Sequence, residues 1–84
     1  MSKHPIVYLE WLDSAGYEGW QDNDTACSCT PYHCRTAAFL LYVDDLHYVI
    51  TQSETVFSDD AGFDQKYHGL FSIPKSAVTH IEYL

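Results

Sequence analysis

Basic residues are scarce in this chain of 84 residues: Lys and Arg together number four against twelve Asp and Glu, a formal net charge of -8. A surface so poor in cations repels a nucleic-acid backbone and an anionic bilayer alike, so direct DNA or RNA binding and membrane adsorption are not expected. Long apolar runs are missing too. No stretch approaches the roughly 20 residues of a membrane span, and the opening Met-Ser-Lys-His-Pro has no signal-peptide-like apolar segment. A cytoplasmic protein is expected. Cysteines number three, an odd count that forbids a complete set of intrachain disulfides, so thiols are expected.

What is present argues for a folded domain. Hydrophobic residues make up 46% and aromatics 15% of the chain, enough apolar surface to offset chain entropy. The length allows one domain, residues 1–84, that hides only about 60–65% of its unfolded surface, so stability is expected to be marginal.

Five strand-like segments punctuate the sequence. Residues 6–12, Ile-Val-Tyr-Leu-Glu-Trp-Leu, are β-branched or aromatic at most places, with Val7, Leu9 and Trp11 on one face. The turn residues Asp13-Ser14-Ala15-Gly16 end that strand. Residues 36–43 form a second strand, and residues 47–52 a third beyond the turn pair Asp44-Asp45, giving a hairpin. Residues 69–73 stop at Pro74, which cannot donate to a ladder, and Ser76-Ala77 permits a single helical turn. Residues 78–84 alternate as the last strand, with Val78, His80, Glu82 and Leu84 opposite Thr79, Ile81 and Tyr83. The expected core is Val7, Leu9, Phe39, Leu41, Ile50, Ile73 and Ile81. Short strands without an amphipathic helix predict an all-β fold, a five-stranded antiparallel SH3-like or Sm-like barrel in which closure hides the edges.

Between the first two strands, residues 21–35 read as a long irregular loop, and loops of that length are often functional. Cys27, Cys29, His33 and Cys34 there are residue types that zinc accepts. Adjacent His33 and Cys34 can seldom both face one ion, however, and paired Cys-x-x-Cys knuckles are absent, so ordinary thiols and no cofactor are expected. A Cys34–His nucleophilic pair oriented by Asp13 lacks any surrounding signature, and a domain this small has little room for a substrate pocket, so no enzyme is expected.

Binding is the better expectation. Asp13 and Ser14 end the first strand beside Tyr17 and Trp20, and Gln52 and Ser53 end the third. Trp20 lies outside any regular pattern, so it either packs under the loop or presents a binding surface. Asp22, Asp24, Asp44, Asp45, Asp59, Asp60 and Asp64 place carboxylates in three loops, which either copy the charge of a nucleic acid at a basic host site or only solvate the surface. Arg35, whose planar fork grips phosphate, offers a different class of function: a homo-oligomeric binder that sequesters a nucleotide-like signal. Five histidines make charge, and any association it drives, sensitive to pH.

The pieces Trp11-Leu12-Asp13-Ser14, Gly19-Trp20, Phe39-Leu40-Leu41-Tyr42, Gln52-Ser53 and Ile73-Pro74-Lys75-Ser76-Ala77-Val78, in this order, resemble a group of small bacteriophage proteins. The resemblance covers most of the chain. It implies a phage-encoded accessory protein acting in the cytoplasm of an infected bacterium, as a modulator or inhibitor of a host protein. The chain departs from that pattern at Ala37 or Ala38, where such proteins often have Gly before the second strand, and in its Cys-rich loop.

Overall fold

The computed structural model describes residues 4–56 and 65–84. The second acidic loop, residues 58–62, and Asp64 lie outside them, as does Lys3. The elements run β1 Ile6–Asp13, α1 Asn23–Ser28, β2 Tyr32–Val43, β3 His47–Glu54, β4 Tyr67–Pro74, a 3₁₀ turn Lys75–Ala77 and β5 Val78–Tyr83. The strands make one antiparallel sheet in the order β4-β3-β2-β1-β5. All-β architecture with five antiparallel strands is therefore as the apolar runs require. The sheet is open, with β4 and β5 at its two edges, and the expected closed ladder is absent among the described residues.

Open here does not mean flat. Trp11 of β1 packs on Phe71 of β4, ring centroids 5.3 Å apart, although β2 and β3 lie between those strands. The right-handed twist of the sheet, increased by register shifts at Leu40/Tyr42 and Glu10/Trp11, curls its concave face inward. The chain leading into β1 also crosses toward β3: His4 Nδ1 lies 2.8 Å from Glu54 Oε2.

The core fills the concave face with Val7, Leu9, Ala38, Leu40, Ile50 and Ile73, flanked by Trp11, Tyr48, Ala77, Val78 and Ile81. Two expectations are corrected. Phe39 and Leu41 are not core residues: Ala38 opposes Val7 and Leu40 opposes Ile50, so the buried phase of β2 is one residue earlier. Val78 and Ile81, expected on opposite faces, both pack against the core. The reason is the bulge at Glu10/Trp11, which pairs Glu10 with His80 but Trp11 with Val78, leaving Thr79 over; its hydroxyl donates to the Glu10 carbonyl at 3.1 Å.

One polar side chain is also buried among the described residues, on the face of β3 opposite Ile50. Thr51 is fully buried, and its hydroxyl is 2.8 Å from the Ser53 carbonyl and 3.0 Å from that of His68. It ties the β3–β4 pair where Gly69 adopts a left-handed backbone (φ 80°).

Candidate functional site

The expected loop of residues 21–35 is shorter than its sequence suggests. β2 begins at Tyr32, so His33, Cys34 and Arg35 are strand residues, paired with Leu12, Trp11 and Glu10. Ahead of them α1 forms a single short helix. Asp22 caps it by accepting from the Thr25 N–H at 2.8 Å, and those bonds to Thr25 hold the Asp22 carboxyl below the usual range.

Residues 14–31 form a finger held mainly by such local bonds. Gln21 Nε2 donates to the Glu18 carbonyl at 2.8 Å, and Ser28 donates to Thr25 at 3.1 Å. α1 has no buried residue and makes no extensive contact with any strand. Tyr17 is 60% exposed and Trp20 fully exposed, at 101%. An indole left in water forgoes burial worth roughly 25 cal/mol per Å² of apolar area, and Trp is enriched among the anchors of protein interfaces. Glu18, Asp22 and Asp24 surround Trp20 in sequence, and no Lys or Arg occurs anywhere from His4 to Cys34. The finger therefore presents one aromatic anchor in a wholly anionic setting.

Of the expected binding residues, Asp13 and Ser14 stand at the base of this finger, with Asp13 Oδ1 accepting from the Ser14 N–H at 2.8 Å. Gln52 and Ser53 are not brought to them: they follow Thr51, which pairs with Phe39 and so lies level with Ile6 at the start of β1, whereas Asp13 pairs with Tyr32 at the other end of the β1–β2 ladder. Gln52 faces the concave side, where it joins Trp11, Thr36, Ala38, Ile50 and Phe71 around a groove of about 220 Å³. This groove was not legible in the sequence, since it depends on the curl that brings β4 back toward β1. Ser53 instead faces away with Lys66 and His68.

Arg35 lies elsewhere. It lines a second depression of about 320 Å³ with Glu10, Trp11, His33, Cys34 and Thr79, at the bulge between β1 and β5. Glu10 also accepts a short hydrogen bond from the Tyr8 hydroxyl, which, with desolvation, raises the Tyr8 pKa above 10.0. The four candidate metal ligands are not brought together. Cys27 contacts Asn23, the Cys29 thiol points toward the Ala15 carbonyl, and Cys34 lies in β2 opposite Trp11. Among the described residues no three His, Cys, Asp or Glu side chains converge on a point where an ion would sit.

No family model matches the chain, and no curated protein or solved structure is similar to it.

Proposed function

We propose that this chain is a non-enzymatic binding protein that engages a basic surface of a partner through its anionic finger. The observation that carries the reading is Trp20, wholly exposed on a segment whose helix makes no extensive contact with any strand and which carries no cation. Desolvated Trp side chains are the commonest anchors of protein interfaces, and a surrounding single-sign field steers a complementary partner. The short motifs that resemble bacteriophage proteins favour a host bacterial protein as that partner, met in the host cytoplasm. With a charge of -8, nucleic acid and anionic membrane are poor candidates. The strand order, with β5 returning beside β1 after a 3₁₀ turn, supports an SH3-like or Sm-like barrel as the scaffold.

The test is capture from a bacterial lysate by the full chain and by Trp20→Ala. A specific host protein is retained by the former, lost with the latter, and released as salt rises from about 0.1 M to about 1 M and the Debye length falls from about 10 Å to about 3 Å. Equal retention by both chains would sink the reading.

A second reading rests on the depression beside Arg35. Its volume of about 320 Å³ is just within the range of roughly 300–1,000 Å³ typical of small-ligand sites. There Arg35 grips a phosphate while Trp11 offers an apolar wall to a nucleotide-like signal. Glu10, beside the guanidinium, weighs against a strongly anionic ligand. Thermal-shift measurement on a nucleotide panel, with Arg35→Gln as control, distinguishes this reading from the first.

A further inference from the structure

Neither reading above uses the groove on the concave face. Its lining carries no charged side chain: Trp11 and Phe71 supply two aromatic rings, Ala38 and Ile50 an apolar floor, and Gln52 a carboxamide. Trp11 Nε1 donates to the Thr36 hydroxyl at 3.1 Å, so those two polar groups serve each other. That bond leaves the Gln52 carboxamide as the polar group of the lining without a side-chain partner among the described residues. The neighbouring backbone makes room for it. Gly69 of β4 takes a left-handed φ of 80°, and a Cβ there would stand 2.8 Å from Gln52 Cβ and 3.1 Å from Gln52 Oε1. A glycine inside a strand weakens it and often marks a close approach, and here its missing side chain is what leaves Gln52 its place at the groove wall.

We propose that this groove binds a small, uncharged, planar heterocycle with an amide- or amidine-like edge, for which adenine is the simplest probe. The lining selects that class. An anion is opposed by the chain's charge of -8, and a cation meets no carboxylate there. The volume of about 220 Å³ falls below the roughly 300 Å³ at which sites for drug-sized ligands begin, which restricts the occupant to one or two fused rings. Trp11 and Phe71 stand tilted at 55° to one another, so a flat ligand stacks on one ring and meets the other with its edge. Gln52 donates from Nε2 and accepts at Oε1, which matches the amino group and ring nitrogen of adenine in a two-bond pair. The inference rests on neither the finger nor Arg35.

Titration of the full chain with adenine, followed by NMR at the Trp11 indole N–H and the Gln52 side-chain amide, tests it. Saturable shifts of both signals are expected, with a dissociation constant that stays the same from about 0.1 M to about 1 M salt because no charge is paired. Purine, which lacks the amino donor, is expected to bind about tenfold or more weakly, and Gln52→Leu to weaken adenine by a similar factor. Trp20→Ala is expected to leave the affinity unchanged. A circular dichroism melt confirms that Gln52→Leu is folded; if it is not, the comparison of purine with adenine on the unaltered chain decides. Absence of shifts up to the solubility of adenine, equal affinity for purine and adenine, or loss of binding in Trp20→Ala would each overturn the proposal. So would tighter binding of adenosine monophosphate that Arg35→Gln abolishes, since it would place the ligand in the other depression.

Discussion

Gly69 is a position in the sheet that tolerates a side chain poorly. Its φ of 80° lies in the left-handed region, and a Cβ built there would stand 2.8 Å from the Gln52 Cβ, with the Gln52 amide oxygen at 3.1 Å. Both the backbone and the neighbour must yield to any side chain, so Gly69→Ala is expected to cost roughly 1–3 kcal/mol, or several degrees of melting temperature. Gly16 serves as the control, with no neighbour within 4 Å of its Cβ position and no positive φ. Gly16→Ala is expected to be neutral or to stabilise by up to about 1 kcal/mol through the unfolded chain. Equal melting temperatures for the two variants would show that the β3–β4 pair lacks this close approach. Thr51 is the polar counterpart. Replacing it with Val keeps its shape but removes the hydroxyl from the Ser53 and His68 carbonyls, at an expected cost of about 1–3 kcal/mol by denaturant unfolding.

At the scale of elements, the β2–β3 hairpin is fastened by Asp44. Its Oδ1 accepts from the backbone N–H groups of Leu46 at 2.8 Å and His47 at 2.9 Å, and it also lies 2.9 Å from the His47 ring. The Leu46 bond first, and then the His47 bond, holds the carboxyl below its ordinary value of 3.8. A carboxyl whose folded value is depressed stabilises the fold above its unfolded value and loses that contribution as pH falls through the folded one. Asp44→Asn is therefore expected to melt lower than the parent at neutral pH, with the gap narrowing below about pH 4. A gap independent of pH would locate the effect in shape and not in charge. The same hairpin marks what sequence reading reaches. Asp44-Asp45 between two apolar runs is a local signal, and local signals survive folding. The phase of β2 is not local: with residues 37–43 apolar throughout, alternation cannot choose between Ala38–Leu40 and Phe39–Leu41. Pairing with Val7 and Ile50 makes the choice. In β5 the bulge at Glu10/Trp11 inserts one residue between Val78 and Ile81 and so puts both on the face that strict alternation would have separated.

For the molecule as a whole, the long β2 strand sets most of the length, and the finger adds to it while contributing little to stability. The radius of gyration is 17.3 Å and the long axis 61 Å, whereas a compact chain of this length has a radius of about 12 Å. β2, with 12 residues, accounts for roughly 40 Å of that axis at about 3.3 Å per residue. Trp20 was visible in the sequence as a residue outside every pattern, and its exposure follows from α1 having no apolar face to pack on the sheet. The groove on the concave face was not visible, because Trp11 and Phe71 are 60 positions apart and meet only through curvature. These facts separate binding from folding. Trp20→Ala is expected to change unfolding free energy by no more than about 0.5 kcal/mol, as exposed substitutions do. Leu9→Ala, in the fully buried core, is expected to cost about 2–5 kcal/mol. Replacing residues 15–31 by a short turn extends the same logic: the sheet should keep a cooperative melt while X-ray scattering records a radius of gyration falling toward the compact value. Loss of cooperative folding in that shortened chain would mean that the finger belongs to the core of the protein and not to its binding surface.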